Sequence, residues 1–313
     1  MRKTKQSKKH SGWRELVRQK DLQLMVLPAL ICIILFNIAP LFGLQIAFKD
    51  YKLNLGIFDS PWAGLKHFEA IFTDTNIVDV MINTLGLSLI KGFVILPLPI
   101  IFALLLNEVT TPWFKKTVQT VSYFPYFLSW SVVALMATSW LSPQSGFING
   151  FLTSVGLIDE PYFFLGKPEA FWTISVVLDI WKNIGYSSII YMAAMSNVDQ
   201  EVMEAAVIDG AGRFRRIWHV TIPAILPTIM IMLILNVGNL LKGGSNFDIS
   251  YNLGNVLNQT RSEILDTYVL KVGITMARFS YATAIGLLQS VVSAILLVLA
   301  NTFSKITTHE SFF

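Results

Sequence analysis

The sequence predicts an all-α integral membrane protein that crosses the bilayer with six helices. Of its 313 residues, 53% are hydrophobic and 14% are charged, and the mean hydropathy of +0.57 is far from that of an ordinary water-soluble domain. A helix needs about 20 apolar residues to cross a hydrocarbon core about 30 Å thick. Six runs are long enough, and none alternates as a barrel strand does. The predicted spans are 24–48, 80–106, 117–140, 171–195, 222–241 and 281–303.

Basic residues before the first span place the N-terminus in the cytoplasm. Eight lysines and arginines face one acid, Glu15, within residues 1–20. A basic tail can bind nucleic acid, but beside an apolar span the positive-inside rule is the simpler explanation, and no nucleic-acid partner is expected. The first run is too long for a signal-peptide core and lacks a small-residue cleavage site, so it predicts an uncleaved helix.

Loop charges orient the remaining spans. Lys115 and Lys116 follow the second span, and three arginines follow the fourth, which predicts that both loops are cytoplasmic. The loop that carries Asp159 and Glu160 is predicted to lie outside. Six crossings then return the C-terminus to the cytoplasm. We expect a basic tail at 1–20, one transmembrane domain at 21–307 and a C-terminal tail at 308–313.

The cytoplasmic loop 196–221 reads as two short helices rather than a flexible connector. Asp199 is suited to cap the first helix, which extends to residue 208, and residues 210–212 form a turn. The second helix, 213–219, has an apolar side containing Phe214 and Trp218 beside three arginines. Two explanations fit these residues: the loop binds a protein partner, or it lies on anionic lipid.

The same loop resembles the EAA motif of binding-protein-dependent ABC importer permeases. Glu204, Ala205 and Ala206 begin the motif, and Gly210 follows six residues after Glu204. Asp209, Ala211 and Pro223 also fit, whereas Val220 and Ile222 stand where the family usually has Ile and Leu. The segments ALLLNE at 103–108, YFPYFLSW at 123–130, and LDTYVLKVG with RFSYATAIGLLQSVV within 265–292 resemble the carbohydrate-uptake branch, and within it the LplB-like polysaccharide type.

This resemblance implies a type I ABC importer permease fold in the bacterial cell membrane. It also implies a second homologous permease, two ATPase subunits that bind ATP and Mg, and an extracellular solute-binding lipoprotein. The loop would be the coupling helix that contacts an ATPase. The residues assigned to that contact are Glu204, Ala205, Ala206, Asp209, Gly210, Ala211, Phe214 and Pro223.

No catalytic or cofactor motif is found in the chain. The only Gly-Lys pair, Gly166 and Lys167, is followed by Pro168 and does not form a GxxxxGK[ST] phosphate loop. The four histidines are scattered, no GxSxG elbow occurs, and Cys32 is the only cysteine. We therefore expect a transport subunit without catalytic residues, metal site or bound cofactor.

Three ionisable residues interrupt the predicted spans. Lys91 lies in the second span, and Asp179 and Lys182 lie in the fourth, at similar depths if the spans run in the predicted directions. Ionisable groups in hydrocarbon are costly unless they are paired or face a cavity. We predict a structural ion pair in which Asp179 neutralises one or both lysines, with substrate contact as the alternative.

Aromatic and amide side chains in the spans are candidates for a sugar pathway. Sugars need aromatic faces for their rings and amides for their hydroxyls. The alternative is that they are ordinary interfacial aromatics and interhelical amides. The candidates are Tyr123, Tyr126, Trp130, Trp181, Asn183, Tyr186, Asn236 and Asn239.

The function predicted is that of a permease subunit which admits a sugar or oligosaccharide by alternating access, coupled to a separate ATPase. An importer of a non-carbohydrate solute would share the EAA loop. An ion-driven transporter that uses Lys91, Asp179 and Lys182 is a further alternative. A membrane enzyme lacks a recognisable set of catalytic residues.

Overall fold

The computed structural model describes residues 19–308, with side chains up to residue 306. In this range the secondary structure is helical, and β pairing is limited to the isolated bridges Lys49–Trp62 and Lys52–Gly56. The predicted basic tail lies outside the described residues except for its last two. The predicted C-terminal tail also lies outside them, except for the backbone of Thr308.

Sixteen α-helices are described, several of them joined end to end by tighter or wider helical turns. The α-helices are α1 Lys20–Ile33, α2 Gly56–Asp59, α3 Lys66–Thr73, α4 Thr75–Ile95, α5 Pro97–Glu108, α6 Pro112–Tyr123, α7 Trp130–Trp140, α8 Phe147–Ser154, α9 Pro168–Met195, α10 Gln200–Ile208, α11 Arg213–Arg216, α12 Ile222–Gly238, α13 Gly244–Leu253, α14 Gln259–Ser262, α15 Leu265–Leu270 and α16 Phe279–Thr308. The linking turns are π at Ile34–Ile38, Ile217–Thr221 and Lys271–Thr275, and 3-10 at Ala39–Phe48, Phe124–Phe127 and Phe164–Gly166.

Between residues 19 and 308, four helical units are long and apolar enough to cross a membrane. They are Lys20–Phe48, Thr75–Glu108, Arg213–Gly238 and Phe279–Ile306. A fifth is obtained if the pair Pro112–Phe127 and Trp130–Trp140, bent by 100°, counts as one span. The predicted fourth span is α9, which has 28 residues but is interrupted by charged and polar side chains and is not among the five. Six crossings and two cytoplasmic termini therefore stay predictions.

The fifth predicted span begins earlier than expected. The predicted second helix of the cytoplasmic loop is not a separate element, because α11 continues through the π turn Ile217–Thr221 into α12. The π turn ends at Thr221, and the helix continues across Pro223 although this residue has no backbone N–H to donate. A single helical rod, Arg213–Gly238, thus joins the predicted cytoplasmic loop to the predicted fifth span.

Helix α9 lies at the centre of the bundle and packs against α4, α5, α6 and α12. One buried cluster joins α9 to α5 and α12 around Ala103, Tyr191 and Ile225. A second joins α9 to α7 and α13, and a third joins α4, α15 and α16. Helix α1 has no buried residue, so its apolar surface is available to lipid or to another subunit.

A carboxylate at the start of α4 ties three helices together. Asp74 accepts the Asn76 backbone N–H at 3.0 Å and the hydroxyls of Tyr268 and Tyr281 at 2.6 and 2.8 Å. Burial raises the pKa of Asp74, but the three donors lower it more, and the net pKa lies below its usual value. Burial, reinforced by this carboxylate, raises the pKa of Tyr268 to about 12.

Candidate functional site

A cavity of about 630 Å³ opens where α12 ends. The chain leaves the helix after Gly238 and resumes it at Gly244, and this interruption forms one wall, with α4 and α9 forming the others. Irregular backbone between apolar helices is tolerated where it lines a cavity. The polar and charged lining residues are Ser88, Lys91, Asp179, Asn183, Ser187, Asn236, Asn239, Lys242, Ser245 and Asn246.

Asp179 is the centre of a polar network on the cavity wall. Its carboxylate lies 2.7 Å from Lys91 Nζ and accepts hydrogen bonds from Asn183 Nδ2 and Ser245 Oγ, both at 2.5 Å. Because Asp179 is only 2% exposed, these contacts compensate for the lost hydration of the carboxylate. The network joins α4, α9 and the start of α13.

Two buried groups on the same wall have capacity to bind a ligand. Lys91 is 6% exposed, and beyond its ion-pair contact its ammonium forms no well-directed hydrogen bond with a described residue. Asn246 is 8% exposed and donates to Ser88 Oγ at 3.0 Å, while its Oδ1 has no described donor. Buried polar atoms without protein partners are uncommon in folded proteins, so these two groups are candidates for ligand contact.

The prediction allowed Asp179 to pair with one or both lysines, and Lys182 is the lysine that contacts other groups. Its ammonium donates to the carbonyl oxygens of Tyr126 and Leu128 at 2.6 and 2.7 Å and makes no ion pair with Asp179. These carbonyls belong to the bend between α6 and α7, where the helical hydrogen-bond pattern stops. Lys182 therefore stabilises the bent backbone, and it also lies over the rings of Tyr126 and Trp130.

The three candidate amides line the cavity, whereas the candidate aromatics do not. Asn236 and Asn239 donate to the carbonyls of Met232 and Leu235 at 2.7 and 2.9 Å, and their side-chain oxygens accept no hydrogen bond from a described residue. The aromatics form a separate group around α9. Tyr126 stacks on Tyr186, Trp181 meets Trp140 edge-on, Tyr123 contacts Met192, and Trp130 lies beside Lys182.

Sequence reasoning missed five polar lining residues, which are Ser88, Ser187, Lys242, Ser245 and Asn246. The last three lie at the cavity because α12 ends at Gly238, short of the predicted end of its span. The available signal was the sequence Gly243, Gly244, Ser245, Asn246, which indicates a turn.

The EAA segment forms a compact helical hairpin on the predicted cytoplasmic side. Asp199 accepts the Glu201 N–H at 2.9 Å and so caps α10. The helix ends where Gly210 adopts φ +76°, a conformation that favours glycine. Asp209 follows the last helical residue, and the carbonyls of Ala205 and Ala206 accept the N–H groups of Asp209 and Ala211.

Apolar side chains at this hairpin are turned away from the rest of the chain. Ile208 is 86% exposed and Phe214 is 89% exposed, and Trp218 is also exposed. Glu204 instead faces a small cavity shared with Arg216 and Asn107. Pro223 lies in the first turn of α12. Large exposed apolar groups beside arginines are typical of an interaction surface.

The described residues contain no group of three or more His, Cys, Asp or Glu side chains placed to hold a metal ion. Cys32 is a free, exposed thiol on the first helical unit.

The candidate site consists of two parts: a polar cavity inside the bundle and an apolar hairpin at its predicted cytoplasmic end. The helical rod Arg213–Gly238 connects them.

Comparison with known proteins relates this architecture to transport systems. Residues 95–307 match the family described as binding-protein-dependent transport system inner membrane component. The chain is 43% identical to the polygalacturonan/rhamnogalacturonan transport system permease protein YteP of Bacillus subtilis, over 93% of this chain and 89% of that protein. It is 41% identical to LplB of Bacillus subtilis, over 95% of this chain and 92% of that protein.

A solved structure has a similar fold over almost the full length. It is a bacterial alginate ABC transporter in complex with an alginate pentasaccharide-bound periplasmic protein. The TM-score is 0.87 at 33% sequence identity, and the match covers 96% of this chain and 99% of that chain.

Proposed function

The chain belongs to the family of binding-protein-dependent transport system inner membrane components, and from this membership we propose that it is the permease subunit of an ATP-driven importer for a sugar or oligosaccharide. The family resemblance expected from the EAA motif is thereby confirmed, as are the all-α fold and the embedding in the membrane. Members of this family are transport components and not enzymes. The chain is thus a multi-pass membrane protein.

The continuous rod from Arg213 to Gly238 is the observation that carries the mechanism. Its 26 residues span about 39 Å, since an α-helix rises about 1.5 Å per residue. One end meets the EAA hairpin, and the other ends at the cavity. A rigid helix transmits a displacement along its length, so a partner that moves the hairpin also moves the cavity wall.

We assign that movement to ATPase partners. Two ATPase subunits, which bind ATP and Mg, would bind to the membrane subunits, one at the hairpin of this chain and one at the hairpin of a second homologous permease. The exposed Ile208, Phe214 and Trp218 supply the apolar contact that such a partner would bury. The other residues assigned to the contact hold these apolar side chains in position. They are Glu204, Ala205, Ala206, Asp209, Gly210 and Ala211 in the hairpin, and Pro223 at the start of α12. Closure and opening of the ATPases would alternate the cavity between the two sides of the membrane.

The relatives support a carbohydrate substrate. One similar protein is a polygalacturonan/rhamnogalacturonan transport system permease, and another is an alginate ABC transporter. All three of these compounds are polysaccharides. The cavity has the volume typical of small-ligand sites and presents amide oxygens from Asn236 and Asn239 that can accept sugar hydroxyls. An extracellular solute-binding protein would deliver the sugar, as in the alginate complex.

Reconstitution tests the proposal directly. The chain, its second permease, the ATPase and the binding protein would be placed in proteoliposomes, and uptake of labelled oligosaccharide would be measured with ATP or with ADP inside. We expect uptake only with ATP. Uptake that stops when a protonophore collapses the ion gradient, while ATP persists, would instead support the ion-driven alternative based on Lys91, Asp179 and Lys182.

A further inference from the structure

The cavity carries an excess of positive charge. Among its lining residues, Lys91 and Lys242 are cationic and Asp179 is anionic. The Asp179 carboxylate is occupied by three contacts, from Lys91, Asn183 and Ser245, and has little capacity left for a ligand. The net charge offered to a ligand is therefore positive.

The two lysines differ in ways that suit them to one anionic group. Lys242 is exposed and forms no ion pair with a described residue, so it can approach a ligand freely. Lys91 is fixed by Asp179 at 2.7 Å but has ammonium protons without a well-directed acceptor. A carboxylate in the cavity could accept from both, and such charge-assisted hydrogen bonds are stronger than neutral ones.

We propose that this cavity selects saccharides that carry a carboxylate, with Lys242 and Lys91 as the groups that bind it. The remaining polar lining would bind sugar hydroxyls, because the oxygens of Asn236, Asn239 and Asn246 act as acceptors. The buried Lys91 has a stronger effect than an exposed cation would have, since few water molecules screen its charge. This inference rests on the proposed function and extends it from sugars in general to acidic sugars.

The test compares two labelled probes of equal length in proteoliposomes that contain the complete importer. Trigalacturonate carries a carboxylate on every ring, and galactotriose carries none. Initial ATP-driven uptake is measured with the binding protein saturated by each probe, so that the ratio of the two rates reports on the membrane subunits. The variants are Lys242→Gln, which removes an exposed charge, and Lys242→Arg, which keeps it. Lys52→Gln is a matched control, because Lys52 is exposed and is not one of the residues that line the cavity.

We expect the unaltered importer to favour the acidic probe and Lys242→Gln to lower the ratio of acidic to neutral uptake about tenfold, the effect of losing one charge-assisted contact. Lys242→Arg should keep most of the ratio, and Lys52→Gln should keep all of it. An unchanged ratio in Lys242→Gln, or preference for galactotriose, overturns the charge selection while the sugar-importer assignment stands. Failure of both probes to enter with ATP overturns the assignment and this inference together.

Discussion

The carboxylate of Asp179 binds Lys91, Asn183 and Ser245 from three segments of the chain, so its loss should have a large effect. Asp179→Asn leaves the Lys91 ammonium buried without a counter-charge, which typically costs about 3–5 kcal/mol. We expect this variant to assemble poorly and the purified complex to unfold at a lower temperature. The measurement is the yield and thermal midpoint of the complete complex in detergent.

A double variant separates charge imbalance from loss of shape. Lys91→Met combined with Asp179→Asn removes both charges and keeps an amide for Ser245 to contact. Replacing a buried ion pair by uncharged groups is often close to neutral, so the double variant should recover most of the lost stability. If Asp179→Asn alone assembles and transports normally, the pair is not the structural element described above.

Lys182 illustrates what a sequence does and does not reveal about a buried charge. Similar depths in the spans suggested that Lys91, Asp179 and Lys182 meet, and Lys91 does lie against Asp179. The acceptors of Lys182 are backbone carbonyls at Tyr126 and Leu128, exposed by a 100° bend. Every residue has a backbone carbonyl, so the sequence alone does not reveal which carbonyls accept hydrogen bonds from Lys182.

At the scale of helices, α9 and α6 pack closely through a residue without a side chain. A Cβ added at Gly185 would lie 2.2 Å from the backbone oxygen of Ser122, and a backbone atom cannot rotate away. We expect Gly185→Ala to force the helices apart and to cost about 1–3 kcal/mol, the usual range for overpacking. The thermal midpoint of the complex measures this.

Gly286→Ala is the matched control for this contact. Gly286 also lies within a helix, α16, and an added Cβ would meet nothing within 4 Å. Alanine is a better helix former than glycine, so this variant should be as stable as the parent or slightly more stable. Equal effects of the two substitutions would show that the α6–α9 contact is not limited by close packing.

The hairpin turn gives a second prediction at the element scale. At Gly210, with φ +76°, alanine is strained by about 1–2 kcal/mol, which corresponds to a factor of roughly 5–30 in the population of the native turn. We expect Gly210→Ala to reduce ATP-driven uptake and the coupling of ATP hydrolysis to substrate, both measured in proteoliposomes. Gly210→Asn should be milder, because asparagine tolerates this conformation.

Gly212→Ala is the control for the hairpin. Gly212 lies in the same turn with an ordinary φ of −66°, and an added Cβ would meet nothing within 4 Å. Transport by Gly212→Ala should be close to normal. If Gly210→Ala transports equally well, the precise shape of this turn does not couple the ATPase to the membrane.

Helix positions followed from apolar runs, but helix ends did not. Hydropathy marks where a chain prefers lipid, whereas a helix continues until a breaker stops it. The helix of the predicted fifth span therefore extends back to Arg213, because no breaker lies between Gly212 and residue 222. It stops at Gly238, before the apolar run ends, and this early stop creates the cavity.

At the scale of the whole molecule, the site depends on contacts between residues distant in sequence. Lys91, Asp179 and Ser245 meet across separations of 88 and 66 residues, and only the packing of α4 and α9 against the break before α13 joins them. The EAA hairpin is local, so its residues could be recognised from sequence. The cavity is assembled by the tertiary fold, so three of its amides could be predicted from the sequence but the space between them could not.

The number of crossings depends on α9, whose polar side chains obscure it in a hydropathy profile. With 28 residues it is about 42 Å long, more than the roughly 30 Å of hydrocarbon. Its charged groups are satisfied, Asp179 by Lys91 and Lys182 by backbone carbonyls, so the usual cost of charge in lipid is largely offset. We therefore expect α9 to cross the membrane and six spans in all.

Single cysteines on either side of α9 test this crossing. In a Cys32→Ser background, Leu157→Cys and Ile208→Cys place exposed thiols before and after the helix. In sealed right-side-out vesicles, a membrane-impermeant maleimide should label position 157 at once and position 208 only after permeabilisation. Tags at the two termini should behave like position 208. If positions 157 and 208 are labelled from the same side, α9 does not cross, and the EAA hairpin cannot meet a cytoplasmic ATPase while the 157 loop faces outward.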